Sequence, residues 1–434
     1  MAQQKPGHWL RPAFQAVAID DEGRACRDIP EAACQQEAGN FFKHVGALAL
    51  SKSADGLVDP KLVLSWLMIQ LGAPAALVGF LVPIREAGAL LPQLFTAGAL
   101  RRLPRRKWAW AAAGLVQGGS AVAIGLIALF LEGQAAGMAI LACLTILAVA
   151  RSVASVCYKD VLGKTVDKSR RGTATGLAAS IGSGAVIVFA LLLASGLVAR
   201  FELVVLALVL AGAAWLVAAA IFASLREAAG ATEGGKSAIA AALENLAYLK
   251  SDGQLRRFIF VRSLLTATAL GPPFMIAAAS VSSNALPLGA MVLASALAGL
   301  VSSYVWGRLS DRSSRKVLVY AGLAGGAALL ASGAAALQGW LHPLYALPAL
   351  IFALMVAYQG VRLGRSTHLT DMASADTRAA YTALSNTIVG LVLLAGGIFS
   401  AVAALAGAAA VLLIMGVMAV AGSALALGLE EVQA

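Results

Sequence analysis

Uninterrupted apolar runs of roughly twenty residues recur along most of this chain, and its charges collect in the short stretches between them. At about 1.5 Å per residue, such a run crosses the ~30 Å hydrocarbon layer of a bilayer as an α-helix. Lipid supplies no hydrogen-bond partners, so a spanning segment must be a helix or part of a closed barrel. Barrel strands alternate apolar and polar residues over about ten positions, and these runs do not alternate. The chain is therefore read as an all-α integral membrane protein. Composition agrees, with 60% hydrophobic and 13% charged residues. A soluble domain is about half apolar and a quarter charged. The 44 glycines suit helices that pack closely in lipid.

The first run is read at roughly 62–83, followed by a short one at 85–100. Others fall near 108–131, 135–158, 173–198 and 203–225, then 258–280, 285–306, 317–338, 343–363, 380–403 and 407–428. That predicts twelve transmembrane helices in two six-helix halves. The expected organisation is a cytoplasmic segment 1–60, a half at 61–225, a cytoplasmic linker at 226–257 and a second half at 258–430. No apolar core follows Lys5, so the start does not read as a signal peptide. Residues 39–58 are expected to form a short amphipathic surface helix, with Phe41, Phe42, Val45, Ala49 and Leu50 inward and Lys43 and His44 turned away.

The formal net charge of +11 is not a nucleic-acid footprint. Residues 1–59 carry six Lys/Arg against eight Asp/Glu, so the excess lies beyond them. Seventeen Lys/Arg fall in 101–107, 159–171, 307–316 and 362–378, whereas the alternate turns hold only Arg85 and Arg200. By the positive-inside rule these four intervals, the linker and both termini are cytoplasmic, and the membrane is the cell's inner membrane. Cys26, Cys34, Cys143 and Cys157 make no CxxC pair. They read as reduced structural thiols, without a metal site.

The halves echo each other. Leu71-Gly72-Ala73-Pro74 is matched by Leu270-Gly271-Pro272-Pro273, and the Lys52–Gly56 turn by Lys250–Gly253. The stretch Gly98–Lys107 is matched by Gly307–Lys316, and the sequence after Arg171 by that after Arg378. Such weak internal symmetry is the mark of transporters built from repeats, with the substrate site between them. Gly307-Arg308-Leu309-Ser310-Asp311-Arg312, closing on Arg315-Lys316, resembles the loop signature of the major facilitator superfamily. Gly98, Leu100, Arg106 and Lys107 keep part of it in the first half, but Arg102 replaces its acid. The resemblance spans roughly residues 60–430. It implies alternating access, with helices 1, 4, 7 and 10 lining a central cavity. Gly176, Gly182 and Gly184 are similar to the family's antiporter signature in helix 5, but its proline is missing.

Ionisable groups inside spans are the first functional candidates. Arg151 lies deep in its run, with Ser155 and Tyr158 at i+4 and i+7 on the same helical face. Arg262 and Arg362 sit nearer their helix ends, and Tyr358 occupies the place of Arg151 in the repeat register. Gln93 and Asn386 are uncharged candidates, alongside Gln70, Gln117 and Gln359. Glu86, beside Arg85, and Asp160 are the acids placed to carry a proton. In the gating loops, Gly98, Arg106 and Lys107 face Gly307, Asp311, Arg312, Arg315 and Lys316 across the repeat. Gly307 is read as permitting a close helix approach and Asp311 as docking on a neighbouring helix or base.

These readings point to a secondary transporter moving a small anionic or zwitterionic solute, with or without a proton. The expected partners are membrane lipid, the solute and a coupling proton. No cofactor, metal or nucleic acid is expected, and the protein is read as a monomer. A lipid or amphiphile flippase is the rival within transport, and a non-transporting sensor or scaffold the rival outside it. No nucleophile–base pair or metal cluster marks an enzyme.

Overall fold

The computed structural model describes residues 34–93, 96, 100, 102–230, 246–280, 287–374 and 377–433, and these form helices and connecting turns without strands. The first helices are α1 (Glu37–Leu57), α2 (Val63–Gln70), α3 (Ala75–Val78) and α4 (Leu81–Leu90). Longer ones follow: α5 (Lys107–Phe130), α6 (Gly133–Thr165), α7 (Lys168–Ser195) and α8 (Arg200–Ala223). The second part holds α9 (Gly253–Leu265), α10 (Ala267–Ser280), α11 (Leu288–Arg312), α12 (Ser314–Leu337), α13 (Ala346–Met372), α14 (Arg378–Ala395) and α15 (Ile398–Ala426). Nine stretches among the described residues are helical, long and apolar enough to cross a bilayer. The protein is a multi-pass membrane protein.

The helices pack in two groups. Helix α1 lies against α7 and α8, and α5 against α6 and α8. In the second group, α12 packs on α13 and α15, and α11 on α13. The groups meet where α7 touches α11, α4 touches α14 and α3 touches α15.

Helix α1 is the main departure from the sequence reading. Residues 39–58 are helical, but they do not present one face to a surface. Phe41, Ala47 and Ala54 are fully buried, and so is His44, which was expected to face away. Buried polar groups are tolerated when they are hydrogen-bonded, and here each finds a neighbour. His44 Nε2 pairs with Thr165 Oγ1 at 2.8 Å, the Asn40 side chain bonds both the N–H and the C=O of Arg226, and Glu37 pairs with Arg170. Charges at Glu37, Lys43, Lys52 and Asp55 lower the helix's hydropathy without keeping it out of the packed interior.

The apolar run 62–83 is correspondingly two pieces of helix. The chain turns at Gly72, whose φ of +71° is open to glycine at no steric cost, and Pro74 then leads into α3. The turn is tied to the start of α6 by the Gly133 N–H, which donates to Leu71 O at 2.6 Å. Arg85 thus lies inside α4 rather than in a turn. Between α1 and α2 the helix breaks at Asp59-Pro60-Lys61. Proline removes a donor and disfavours helical geometry in the residue before it. The Asp59 carboxylate accepts from the Lys61 N–H at 2.7 Å, and Ser65 Oγ donates to Pro60 O. A matching break at Thr266 separates α9 from α10.

These breaks correct the repeat register. Lys52–Gly56 ends α1 whereas Gly253 begins α9, and Gly72 is in a turn whereas Gly271 is within α10. Those two echoes are local coincidences of composition. The echo after Arg171 and Arg378 survives: Arg171 clamps Gly163 O and Val166 O behind its own helix start, and Arg378 reaches Ala373 O the same way, whereas Gly98, which opens the fourth echo, lies outside the described residues. Gly407, with φ +83°, interrupts α15 at the expected boundary between 403 and 407. Cys143 and Cys157 are free, but Cys34 is disulfide-bonded, against the expectation of four reduced thiols.

At the start of α9, the Asp252 carboxylate caps the helix through the Gln254 and Leu255 N–H groups and accepts from Tyr381 Oη of α14 at 2.7 Å. Burial pushes the Asp252 carboxyl up, but these hydrogen bonds and nearby Arg256 outweigh it and hold its pKa below the ordinary value. A depressed carboxylate pKa stabilises the fold above the unfolded-state pKa, and that contribution is lost as pH falls through the folded one. Tyr381→Phe should cost about 1 kcal/mol, a modest value for a solvent-screened bond to a charged group. The loss should be seen at pH 7 in thermal melts and vanish in acid. A melt unchanged at both pH values would refute the tie.

Candidate functional site

A cavity of about 510 Å³ lies between the two groups of helices, lined by α1, the α1–α2 break, α4, α6 and α7 from one and α11 and α13 from the other. Its acids are Asp55, Asp59 and Glu86, and its cations Lys52, Lys61, Arg85, Arg151, Arg362 and Arg365.

Asp55 is the hub of the first network. Its carboxylate bridges Arg85 of α4, at 2.9 Å, and Arg151 of α6. Arg151 also donates to Ser51 Oγ at 3.0 Å, and that oxygen takes a second bond from Trp215 Nε1 of α8. Three helices are thereby fixed around one carboxylate.

Lys61 is the hub of the second, with a side chain only 10% exposed. Its ammonium meets Glu86 Oε1 at 3.1 Å, donates to Tyr358 Oη at 3.2 Å and sits 4.2 Å from the Tyr358 ring centroid. Tyr358 Oη also reaches Glu86 at 3.4 Å. Since Tyr358 belongs to α13, this cluster joins the two helix groups at the cavity. The α1–α2 break allows it, because it places Asp59 and Lys61 where a continuous helix would carry them past the cavity.

Of the residues singled out from sequence, Arg151, Ser155, Gln93, Tyr358, Gln359, Arg362 and Glu86 line this cavity. Others lie elsewhere. Tyr158 packs edge-on against His44 and beside Phe222. Arg262, 6% exposed, donates to Ser385 Oγ at 2.7 Å and Asn386 Oδ1 at 2.9 Å, so both Arg262 and Asn386 serve contact between α9 and α14. Asp160 is held between Arg106 and Lys164, the latter at 2.5 Å.

The loop residues form braces within each group. Glu227, with a fully buried side chain, accepts from the Arg106 and Lys107 N–H groups at 3.1 and 2.9 Å and pairs with Lys164. It caps the N-terminus of α5, where backbone donors and the helix dipole favour an anion. Lys107 Nζ donates to Leu225 O. In the second group Glu431 accepts from Ser313 Oγ at 2.6 Å and faces Arg315 Nε at 3.5 Å, while the α12 N-terminus is capped by Ser313 Oγ, which accepts from the Lys316 N–H, and by Gln433 Oε1, which accepts from the Ser314 N–H at 2.8 Å. Arg315 also reaches Leu429 O. Arg312 and Lys316 are exposed, and Asp311 lies in the last turn of α11 with its side chain outside the described set. Gly98 lies outside the described residues. A Cβ at Gly307 would meet nothing within 4 Å, so no close helix approach explains that glycine.

Sequence reasoning missed Lys52, Asp55, Asp59 and Lys61, together with the capping acid Glu227 and with Glu431. Lys52 and Asp55 stand at i and i+3 on one face of α1, and Asp59 follows in the break. That spacing was available once α1 was allowed to be buried.

No protein-family model matches the sequence, and no curated protein matches it. Solved structures do. A variant of the nucleoside transporter NupG superposes with a TM-score of 0.71 at 13% identity, covering 90% of this chain and 100% of that one. A POT family transporter in complex with a thioalcohol-conjugated peptide gives 0.67 at 10% identity, covering 89% of this chain and 95% of that one. A POT family transporter in complex with 5-aminolevulinic acid gives 0.68 at 9% identity over the same shares. These neighbours are membrane transporters rather than enzymes, and the chain has the fold of major facilitator superfamily transporters.

Proposed function

We propose that the protein is a secondary active transporter that moves a small polar solute through the 510 Å³ cavity by alternating access. The single observation that carries this is a charged cavity lined from both helix groups and crossed by the Lys61–Glu86–Tyr358 link. A site between repeats, built on a broken helix, is what a rocking transporter needs. Six cations and three acids suit a small charged solute better than an acyl chain, which argues against a lipid flippase.

The helices fit twelve spans in two halves once breaks are bridged. Helices α1 with α2, α3 with α4, and α9 with α10 each make one span, and Gly407 divides the last two. The first half then begins in α1 instead of at residue 61. Basic loops put residues 101–107 and 307–316 in the cytoplasm. The halves touch at the opposite end, where Gly79 meets Ser400 and Phe274, Phe80 meets Gly397, and Gly289 meets Ala194. This is the pattern of an inward-open state. Glu86 is the candidate proton carrier, and Asp160, tied into the brace, is not.

Gly289 gives a direct test of the conformational assignment. A Cβ there would lie 2.5 Å from Ala194 N, so α7 and α11 could not keep their present spacing at that point. Gly289→Val should weaken the outer closure and raise labelling of cysteines placed at the outer mouth. A shift of about 1–3 kcal/mol between states corresponds to about 5–150-fold in that ratio. Unchanged labelling, in protein that still packs normally, would remove the inward-open assignment. The transport reading itself is tested by solute flux into vesicles holding the purified protein.

A further inference from the structure

We infer that the solute is a small dianion and that the protein works as an obligatory exchanger of such anions. This deepens the transport reading above and rests on it. Asp55 is shared by Arg85 and Arg151, and Glu86 is engaged by Lys61. Lys52, Arg362 and Arg365 line the same cavity and have no hydrogen bond or ion pair among the described residues. Lys52 comes from α1 in the first half, and the two arginines come from α13 in the second, one helical turn apart.

The two walls of the cavity are therefore both cationic. The first carries one more cation than its three carboxylates can neutralise, and the second carries two arginines and no acid. A cleft lined by one sign of charge focuses the field and concentrates counter-ions. Guanidinium groups take carboxylate or phosphate oxygens as paired, charge-assisted hydrogen bonds, and an ammonium adds a point charge from the facing wall. A solute with two negative charges, whether a dicarboxylate or a phosphate monoester, satisfies both walls at once. A neutral solute or a monocation leaves them unsatisfied.

Exchange follows from the same arrangement. Closing the cytoplasmic mouth brings the walls together and removes water from between like charges, whose repulsion is then least screened. An anion between them reverses the sign of that interaction. The loaded carrier can cross between states, and the empty one is held open. A ligand shifts such an equilibrium only by binding one state better than the other, and here the occluded state is the one that gains the second wall.

The test uses the full-length protein in detergent and in vesicles, with succinate, glycerol phosphate, glycine and uridine as probes. Succinate or glycerol phosphate should raise the melting temperature, and the preferred one identifies a carboxylate or phosphate head. Arg362→Gln and Arg365→Gln should each weaken that effect about tenfold or more, and Arg362→Lys less, as expected from losing a charge-assisted bond. Neither arginine makes a hydrogen bond or ion pair among the described residues, but the Arg365 charge also acts on Glu86, so Arg362→Gln should melt like wild type without ligand and Arg365→Gln slightly lower. Labelled dianion should enter vesicles preloaded with the same dianion about tenfold faster than empty ones. Stabilisation and flux by uridine or glycine but neither dianion would overturn the substrate class while leaving transport intact. Equal entry into empty vesicles would overturn the exchange. No stabilisation and no flux with any of the four would overturn this inference and the transport reading together.

Discussion

Asp55→Asn should be the most destabilising single change in the cavity. It removes the one carboxylate that neutralises both Arg85 and Arg151, leaving two half-buried guanidinium groups beside each other and Lys52. Breaking a buried pair from one side costs about 3–5 kcal/mol, because the remaining charge has lost its compensation. The Asp55 side chain is 20% exposed to the cavity, so water recovers part of that, and about 2–3 kcal/mol is the expected loss. Melting curves of the purified variant measure it. A double variant, Asp55→Asn with Arg151→Gln, should regain most of the stability, since one orphaned charge is gone. It should not regain transport, because three helices have lost their common anchor. Were Asp55→Asn to melt like wild type, the Asp55 network would be an incidental surface contact in a wet cavity.

That network also revises what Arg151→Gln should do. With no acid at i±3 or i±4 on its own helix, Arg151 reads from sequence as a free cavity cation awaiting a solute. Its partner is Asp55, one helix away, so Arg151 contributes as much to holding α1 against α6 as to facing solute. Both single variants should therefore lose stability, and the loss alone cannot assign a binding role. The unpaired Arg362 separates the two effects, because its removal strands no acid.

The reason Asp55 was not legible lies in how hydropathy reports a helix. Spans with an unbroken apolar window, such as α5, α8 and α12, were placed to within a few residues. Their flanking bases are the basis of the proposed orientation. Helix α1 carries Glu37, Lys43, Lys52 and Asp55 within one span's length, and a window average reads that as a surface segment. Glu37, Asn40, His44 and Asp55 are met by Arg170, Arg226, Thr165 and Arg151, partners that lie 96 or more residues away in sequence. Polar residues deep in an apolar run stand out one at a time, whatever partners they later find. An arginine, an amide or a tyrosine deep in an apolar run marked the cavity at Arg151, Gln93 and Tyr358. Arg262 and Asp160 stand out from sequence in the same way, but they meet Ser385, Asn386, Arg106 and Lys164 away from the cavity lining, in contacts that composition does not distinguish from a binding site.

Lys61→Met should have the largest effect on transport. Lys61 is the cation through which the first half holds Glu86 and reaches Tyr358 in the second. Methionine keeps much of the bulk and removes the charge, so Glu86 is left facing the cavity without its ammonium and Tyr358 Oη loses a donor. The link between halves should weaken, and the balance of inward and outward states should move by about 1–3 kcal/mol, or about 5–150-fold. Cysteines at the two cavity mouths would show it as a changed labelling ratio, and flux should fall at least as far. Tyr358→Phe removes only the hydroxyl and leaves the ring under the ammonium, where the cation–π contact persists at about 0.5–2 kcal/mol. It should therefore be milder. Glu86→Gln combined with Lys61→Met removes both charges and should restore folding more than flux, because a neutral pair can pack but cannot respond to a proton or a solute. An unchanged labelling ratio in Lys61→Met, with Glu86 intact, would mean that the packing of α3, α4 and α7 on α15, α14 and α11 holds the halves without the Lys61 bridge, which then has no part in the transition.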